Sequence, residues 1–352
     1  MSNFVGLDVS SKTTFICIVN EKGVIVFQDS TVTEPDVIYQ ALVSTELAID
    51  SIGIESGSMS HWLTAELQSR GLPVVCIDSR KMSKILSIGI NKTDKNDARF
   101  IAEALRCGFY TKIIQKTQQL AELNVLIQTR RTLVETLVKL KNTIRGHLKI
   151  YGLRLGNCKH NKFSELVKKH LSDKSDIIQF SLNALLLAYE GVLAQLSAIE
   201  DKVKDIGKDD EDVKLLSTIP GVGLITALTF KIHIGDPTRF KNSRSVGAFL
   251  GMTPREYSSG ETTRKGKISK CGPQELRFVL NDAATSMMYC TKSWNRIKAW
   301  GLKLLKKKGH KKTVMAVGRK MATVMHRMLI TRKPFEYGEP TVKETKELAK
   351  AI

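Results

Sequence analysis

The sequence predicts an α/β domain at the N-terminus, then a long helical arm resembling a coiled coil, and then a mainly α-helical domain. Short apolar runs separated by turn residues fill residues 1–110, which is typical of strands alternating with helices. Beyond them, apolar residues recur at helical spacing over long stretches. These observations divide the chain into residues 1–110, 111–211 and 212–335, followed by a polar tail over 336–352.

Five short apolar runs of the first domain predict strands, at residues 4–9, 13–19, 23–27, 49–55 and 73–78. The first three are separated by turn-like residues, and this spacing predicts an antiparallel meander. The last two flank a helix over 61–70 that ends at Gly71, so they predict a parallel pair joined by a crossover helix. Two more helices are expected, over 33–47 and 94–105.

Two long helices are predicted in the middle of the chain, over residues 118–150 and about 178–206. A polar loop at 157–162 joins them, and this arrangement predicts a coiled-coil arm or a dimerisation element. Because the heptads are imperfect, an ordinary helical hairpin fits the pattern equally well. The region after residue 212 is predicted to be almost wholly helical, apart from an irregular polar stretch at 254–273.

Charge is distributed unevenly along the 352 residues. The chain carries 55 Lys and Arg against 35 Asp and Glu, a net charge of +20, which favours a polyanionic partner, most often nucleic acid. A ribosomal or non-specifically basic protein is the alternative. Residues 1–110 nevertheless hold ten basic and thirteen acidic residues, so the remainder carries +23. Acidic groups in a nucleic-acid-binding protein point to bound divalent metal, with an acidic solvated face as the alternative.

Several classes of protein do not fit the composition. No apolar run approaches the ~20 residues that a membrane span needs, and the N-terminus lacks the basic and apolar segments of a signal peptide. The six cysteines are scattered without a Cys-x-x-Cys pair, as expected of reduced thiols rather than of disulfides or a zinc cluster. We therefore expect a cytoplasmic protein with no membrane partner.

Four carboxylates of the first domain are candidate metal ligands. Asp8 lies within the first predicted strand, where a buried carboxylate is costly unless it is paired or binds a cation. Glu55 ends the fourth strand, and Asp94 and Asp97 share one face of the following helix. If the first and fourth strands are neighbours, these acids converge and require cations, for which Mg²⁺ or Mn²⁺ is suited. Each also has a structural explanation, as a helix cap, an ion-pair partner or an acceptor for turn amides.

Three motifs of this region resemble those of one family. They are residues 6–10 (GLDVS), 54–57 (IESG) and 92–98 (KTDKNDA), and they resemble the RuvC-type domain of DEDD insertion-sequence transposases. These are the Piv-invertase relatives known as bridge-RNA-guided recombinases, for which the Lys-Thr-Asp-x-x-Asp-Ala string is distinctive. The resemblance extends over most of residues 3–335 and includes later motifs, at 219–223, 251–254 and 258–260.

The resemblance implies an RNase H-like fold of the RuvC type for the first domain and a Mg²⁺-dependent role for Asp8, Glu55, Asp94 and Asp97. It also implies that Ser259 attacks DNA and forms a phosphoserine-type intermediate. The implied partners are donor and target DNA, a structured guide (bridge) RNA, and further copies of the chain in a dimer or tetramer, all in the prokaryotic cytosol or nucleoid. About 160 residues separate Asp97 from Ser259, so such a site would be assembled between domains or protomers.

Two groups of basic residues are candidate nucleic-acid contacts. One surrounds Ser259, where clustered cations would hold a phosphate: Arg255, Arg264, Lys265, Lys267 and Lys270. From the residues alone, two serines and a glycine are more typical of an ordinary loop. The other group lies in residues 301–335, which hold eleven basic and no acidic residues: Lys306, Lys307, Lys308, Lys311 and Lys312. A solvated charge run is the alternative for this second group.

Together these features predict a DNA transposase or recombinase that cleaves and rejoins strands with a metal-dependent acidic site and a serine nucleophile. The first alternative is a RuvC-like nuclease or junction resolvase that uses metal-activated water and no serine. The second is a non-catalytic nucleic-acid-binding protein with a degenerate domain of this fold. A covalent protein–DNA adduct would separate the transposase from the nuclease, and absence of metal binding and cleavage would favour the non-catalytic alternative.

Overall fold

A five-stranded mixed sheet organises the first of two units, Met1–Lys116, in the computed structural model. The structure describes residues 2–86, 93–260 and 262–338. The strands of this sheet are β1 (Asn3–Val9), β2 (Thr13–Asn20), β3 (Ile25–Val32), β4 (Ile49–Glu55) and β5 (Val74–Ile77). Across the sheet they follow the order β3-β2-β1-β4-β5.

Antiparallel and parallel pairing meet at the central strand β1. It pairs antiparallel with β2, which continues antiparallel to β3, and it pairs parallel with β4, which continues parallel to β5. The predicted meander and crossover are therefore confirmed, and the first and fourth strands are neighbours, which meets the condition for convergence of Asp8 and Glu55. The third strand begins two residues later than expected because Asn20 accepts hydrogen bonds from the amides of Lys22 and Val24, and Gly23 adopts φ +78° in the turn.

Helices cover both faces of this sheet. They are α1 (Pro35–Val43), α2 (Ser60–Ser69), α3 (Ser79–Leu86) and α4 (Asp94–Arg106). On one face, α1 and α2 bury Leu42 and Leu67 in the same core as Leu7 of β1. On the other face, Ala98 of α4 packs with Cys17 of β2. The apolar periodicity predicts α1, α2 and α4, whereas the short α3 has too few turns to show one.

The second unit, Thr117–Ile352, is mainly helical. Its helices are α5 (Gln118–Lys149), α6 (His160–Leu171), α7 (Asp176–Asp209), α8 (Glu211–Leu216), α9 (Leu224–Ile234), α10 (Ser245–Phe249), α11 (Gln274–Thr285), α12 (Arg296–Lys308) and α13 (His310–Thr331). A 3-10 turn at Pro237–Arg239 and a π-helical turn at Ser286–Cys290 complete the helical elements of the described residues. Two strands, β6 (Pro254–Ser259) and β7 (Thr262–Ile268), form a separate antiparallel hairpin.

Two departures from the sequence prediction stand out in this unit. The stretch at 254–273, expected to be irregular, is largely the β6–β7 hairpin; every residue of β6 is exposed, so no alternation of buried residues marks it as a strand. The predicted polar loop at 157–162 is cut short by α6, which begins at His160 and buries Phe163 and Val167 against α5 and α7. The two long helices themselves, α5 and α7, are confirmed.

The helix α7 is long and apolar enough to cross a membrane by length and composition alone. The apolar character of α7 is not visible as a continuous apolar run in the sequence, because polar residues interrupt the apolar ones along the helix. One such helix is weak support for a membrane span, because core helices of water-soluble proteins meet the same criterion. Here one side of α7 buries Leu182, Leu186 and Tyr189 in the helical core.

Candidate active site

Asp8 and Glu55 lie at the same end of two neighbouring strands. The last paired residues of β1 and β4 are Leu7 and Ile54, so Asp8 and Glu55 are the next residues on the two strands. Neighbouring strands lie about 4.8 Å apart, and both side chains are partly exposed at this edge. The strand pairing on which convergence of these two acids depends is therefore present.

Both acids belong to the face of the sheet that α4 covers. Side chains alternate along a strand, so Asp8 shares a face with Gly6, and Glu55 shares that face with Gly53. A Cβ at Gly6 would lie 2.6 Å from the backbone nitrogen of Ala102, and one at Gly53 would meet the next turn of the same helix. The absence of side chains at these two glycines lets α4 lie directly on the sheet, beside the two acids.

The first turn of α4 carries the other two predicted ligands. Thr93 caps the helix, and its hydroxyl accepts a hydrogen bond from the amide of Asn96 at 3.2 Å. Asp97 is only 7% exposed, whereas Asp94 is exposed to solvent. Carboxylates are favourable at this end of a helix because its free amide groups carry partial positive charge.

The direction of α4 brings its first turn toward Asp8 and Glu55. Its last turn lies beside the β2–β3 turn, where a Cβ at Gly23 would be 3.1 Å from Glu103. That turn is at the opposite end of β1 from Asp8, since Asn3 pairs with Asn20. Asp8, Glu55 and Asp97 therefore share one edge and one face of the sheet, with Asp94 on the solvent side of the same helical turn.

The chemistry of this edge suits a hard cation, although the side chains do not form a closed ligand cage. Across residues 2–86, 93–260 and 262–338, no group of three or more His, Cys, Asp or Glu side chains is arranged to hold a metal ion. Asp8, Glu55 and Asp97 each make other interactions in the structure. Their carboxylate oxygens are nevertheless the donors that Mg²⁺ and Mn²⁺ prefer, so the donor set fits a divalent cation once the side chains turn toward it.

Three other polar or ionisable side chains of this unit, which the sequence pattern does not single out, have unusual environments. Cys17 lies beneath α4, where burial raises the pKa of its thiol to about 11, so it is protonated near neutral pH and acts as a packing group. Asp78 follows β5, but hydrogen bonds from Arg80 hold the pKa of its carboxyl below the ordinary value and commit it to the start of α3. The ring nitrogens of His61, at the start of α2, are buried without a hydrogen-bond partner among the described residues. In the sequence, the only feature that draws attention to His61 is its position six residues after Glu55.

Ser259 is the last residue of β6 and lies at the tip of the hairpin. It pairs with Thr262, and Gly260 turns the chain with φ +55°. Both strands are almost entirely exposed. Within the described part of the chain, the Ser259 hydroxyl makes no hydrogen bond, so it is accessible from solvent.

The two serines lie on opposite faces of this ribbon. Because side chains alternate, Ser259 shares a face with the cross-strand pair Tyr257 and Arg264. Ser258 lies on the other face, where its hydroxyl is 3.3 Å from that of Thr263. Arg264 is therefore the cation of β7 that shares the face of Ser259.

The other predicted basic residues of the hairpin have separate environments. Lys265 lies 3.8 Å from the Glu256 carboxylate on the face of Ser258, and Arg255 donates a hydrogen bond to the Ser269 carbonyl at 3.4 Å. Lys267 and Lys270 are exposed. The hairpin is thus cationic on both faces and along its base.

The second basic group occupies the turn between α12 and α13. Lys306, Lys307 and Lys308 end α12, and Lys311 and Lys312 begin α13, all five exposed. His310 in the same turn is anchored by a 2.8 Å hydrogen bond between its Nδ1 and the Tyr289 hydroxyl. None of these lysines forms an ion pair with a carboxylate of the described residues, which leaves their charge available to an anion.

Two family models match the chain. A DEDD transposase model of the IS110 group matches residues 5–152, and a model described as the transposase IS116/IS110/IS902 family matches residues 213–299. The first spans the sheet with Asp8, Glu55 and α4, and the second spans the hairpin with Ser259.

Two relatives that match most of the chain are described as transposases, and a third matches about a third of it. The chain is 28% identical to the transposase for insertion sequence element IS1111A of Coxiella burnetii, over 95% of this chain and 91% of that protein. It is also 28% identical to the transposase for insertion sequence element IS1328 of Yersinia enterocolitica, over 67% of this chain and 70% of that protein. The pilin gene-inverting protein of Moraxella bovis is 30% identical over 35% of this chain and 38% of its own length.

These similarities agree with the structure. The matched regions contain both candidate sites, and a DEDD transposase domain implies the use of divalent metal at its acidic residues. The non-catalytic alternative is therefore set aside. The chain belongs to the IS116/IS110/IS902 family and is a DNA transposase.

Proposed function

We propose that this transposase cleaves and rejoins donor and target DNA with an RNase H-like N-terminal domain whose acids hold Mg²⁺ or Mn²⁺. Asp8, Glu55 and Asp97 would be the ligands, with Asp94 joining them from the solvent side. The register of β1 and β4 carries this proposal, because it gives Asp8 and Glu55 adjacent positions on the face that α4 covers. When bound, the cation would stabilise charge on the reacting phosphate oxygens.

The fold would hold these carboxylates in place before the cation arrives. Two of them stand on paired strands, and Asp97 is fixed by the packing of α4 on Gly6 and Gly53. Carboxylates held this close repel one another when ionised, so a divalent cation stabilises the arrangement. Loss of any one carboxylate should therefore weaken both metal binding and strand cleavage.

Ser259 would be the nucleophile of the strand-transfer step. Its Oγ forms a bond to the phosphorus of the scissile phosphodiester, the bond from phosphorus to one sugar oxygen breaks, and the serine proton ends on that oxygen. A sugar hydroxyl of the other DNA then attacks the phosphoserine ester, which rejoins the strands and restores Ser259. The accessibility of the hydroxyl and the charge of Arg264 on the same face support this role.

A structured guide RNA is the further partner that we propose, alongside the two DNAs. The +23 charge of residues 111–352 supports polynucleotide binding, and so do the exposed lysines of the α12–α13 turn, which form no ion pair with a carboxylate of the described residues. The protein would act in the prokaryotic cytosol or nucleoid, where its DNA substrates are found.

We also propose that α7 joins two copies of the chain. Its exposed side carries residues spaced alternately three and four apart, the heptad spacing of a coiled coil: Ile177, Phe180, Ala184, Leu187, Gly191, Ala194 and Ala198. Ile177, Phe180 and Leu187 are 76%, 80% and 70% exposed. This face lies opposite the buried side of α7, and its exposed residues between 177 and 198 include no charged side chain.

An antiparallel pair would make this face complementary to itself. The large residues are at one end and the small ones at the other, so pairing about Leu187 brings Phe180 opposite Ala194 and Ile177 opposite Ala198. Such a two-fold interface uses the same patch on both copies. The stripe spans about 33 Å of helix, and Gly191 has open space around it for close approach.

The decisive experiment for the metal site compares Asp97→Asn with Asp50→Asn. Asp50 is an exposed acid near the start of β4, at the other end of the strand from Glu55, so its substitution matches the charge change without touching the site. Asp97→Asn should lower strand cleavage by more than about 100-fold, since the loss of a group that only hydrogen-bonds to a metal ligand already costs about 10–100-fold. It should also weaken Mn²⁺ binding measured by calorimetry, while DNA binding in a gel-shift assay stays within twofold of wild type. Wild-type cleavage by Asp97→Asn would overturn the proposed site.

A further inference from the structure

A groove opens at the end of the α12–α13 hairpin farthest from the basic turn. It lies between the start of α12, the second half of α13 and residues 332–338, and its volume is about 440 Å³. That volume lies within the range of about 300–1,000 Å³ seen for ligand sites. The amide of Arg296 donates to the Tyr337 carbonyl at 3.3 Å, and the amide of Phe335 donates to the Thr218 hydroxyl at 3.0 Å. These bonds hold residues 335–337 in place as one wall.

Four cations line this groove: Arg296, Lys320, Arg327 and Lys333. Glu336 is the one acid among its lining residues. None of the four cations forms an ion pair with a carboxylate within residues 2–86, 93–260 and 262–338. Like charges gathered around one cavity repel one another, and an anion in the groove would relieve that repulsion.

The interior of the groove is apolar. Ile297 and Met328 are each only 4% exposed and line it together with Val324 and the half-buried Phe335. The Phe335 ring meets Tyr337 edge to face, with centroids 5.2 Å apart. A site for inorganic phosphate alone would not need such an apolar floor. Cations at the rim with an apolar and aromatic floor match a nucleotide, which has a charged phosphodiester at one end and a flat base at the other.

One of the rim cations is held in place by an aromatic ring. The Lys320 ammonium lies over the Trp300 ring, 4.6 Å from its centroid. This contact orients Lys320 without neutralising its charge. Trp300 thereby serves the groove indirectly, as a support for the cation.

We propose that this groove binds an unpaired nucleotide of a single-stranded segment, with the base on the apolar floor and the phosphodiesters on the four cations. The site is separate from the lysines of the α12–α13 turn, because the thirteen residues of α12 place its two ends about 18 Å apart. A paired base cannot reach the floor, so the groove distinguishes single strands from duplex. The inference rests on the proposed function in that a transposase acting on DNA with a guide RNA exposes unpaired nucleotides.

The test measures binding by the full chain to fluorescein-labelled oligothymidylate, oligouridylate and a duplex of equal length, using fluorescence anisotropy. The double variant Arg296→Gln/Arg327→Gln is compared with Lys169→Gln/Lys202→Gln, two exposed lysines of the same unit that make the same change in net charge. The groove variant should bind single strands about tenfold more weakly than the control. Its salt slope should fall by about 1.4, the value for two single-strand phosphate contacts. Whether the groove variant loses affinity for oligothymidylate or for oligouridylate shows whether the groove binds DNA or RNA.

A second variant separates base binding from simple charge attraction. Thr331→Trp places a large side chain in the groove from an exposed helical position and leaves all four cations intact. Wild type should bind oligothymidylate more tightly than the same backbone with abasic sites, and Thr331→Trp should abolish that preference.

Four results would overturn the inference. If the groove variant and the control variant weaken single-strand binding equally, the groove cations do not hold the strand. Equal losses on single strands and duplex, or an unchanged preference in Thr331→Trp, would show that no base enters the groove. If polyglutamate at matched charge displaces the oligonucleotide, the site binds anions in general and is not specific for a nucleotide. Cleavage by the Asp97 site is measured separately, so failure here leaves the proposed catalytic function standing.

Discussion

Gly6 in β1 lies directly beneath the backbone of Ala98 in α4, with no space for a side chain between them. Since α4 carries Asp94 and Asp97, this contact sets the height of two acids above the sheet. Gly6→Ala should force the helix away from β1 and destabilise the first unit by about 3 kcal/mol, the upper end for overpacked cores. Urea unfolding followed by circular dichroism measures the loss, and calorimetry should show weaker Mn²⁺ binding.

Gly57→Ala is the matched control for that substitution. Gly57 is in the same unit, and a Cβ there would meet its nearest neighbour, the Glu55 carbonyl oxygen, at an ordinary 4.0 Å. The free energy of unfolding of the Gly57→Ala variant should differ from that of wild type by less than about 0.5 kcal/mol. If Gly6→Ala behaves like Gly57→Ala, the close packing of α4 on β1 is not what positions the acids.

The sheet could be predicted from the sequence because its strands are buried. Residues such as Leu7 and Ile54 form apolar runs, and the turns and the crossover helix between runs specify antiparallel or parallel neighbours. The pairing of β1 with β4 did not follow from these patterns, because the meander and the crossover specify neighbours only within each group of strands; the structure supplies it, and with it the shared edge of Asp8 and Glu55. The roles of Gly6 and Gly53 could not be predicted, because the sequence does not show which helix covers which face.

The hairpin and α6 could not be predicted because neither shows a strong apolar pattern. β6 and β7 are exposed on both faces, so Ser259 sits in a strand without the alternation that identifies strands. In α6, polar residues dominate the sequence and only a few apolar ones, Phe163 and Val167 among them, reach the core. The groove around Arg327 depends on three segments meeting in space, which no local pattern reveals.

Ser259→Ala should abolish a covalent protein–DNA adduct, whereas Ser258→Ala should retain it. The two hydroxyls differ by one residue but lie on opposite faces of the ribbon, and only Ser259 shares a face with Arg264. Labelled DNA that stays attached to protein on a denaturing gel measures the adduct. An adduct in Ser259→Ala would exclude this nucleophile, and cleavage by wild type with no adduct at any time would favour the nuclease that uses water.

Leu187→Glu should convert an assembly of the chain into monomers. In the proposed antiparallel pair, Leu187 lies next to its own copy at the two-fold axis, so the substitution places two negative charges side by side in an apolar interface. Light scattering after size-exclusion chromatography measures the molar mass. Val138→Glu, at a 50% exposed apolar residue of α5, is the control and should leave the mass unchanged. Equal masses for the two variants would contradict pairing through α7.

Asp212→Asn should make the second unit less sensitive to acid. Lys231 lies 3.0 Å from the Asp212 carboxylate, Arg332 also donates to it, and together they tie α8 and α9 to the end of α13. Burial acts to raise the pKa of Asp212, but the hydrogen bonds from Arg332 and Lys231 outweigh it and hold that pKa below its ordinary 3.8. The native state therefore binds this proton less readily than the unfolded chain does.

The stability that Asp212 contributes is consequently present above about pH 4 and is lost as the pH falls through its lowered native pKa. Asp212→Asn should cost about 1 kcal/mol at pH 7, a value reduced by the partial exposure of the pair. The difference between wild type and variant should then shrink between pH 4 and pH 2, because protonated Asp212 no longer attracts the two cations. Urea midpoints across that range measure it, with Asp205→Asn at an exposed position of α7 as the control. A gap between Asp212→Asn and wild type that stays constant down to pH 2 would mean that this carboxylate contributes nothing through its charge.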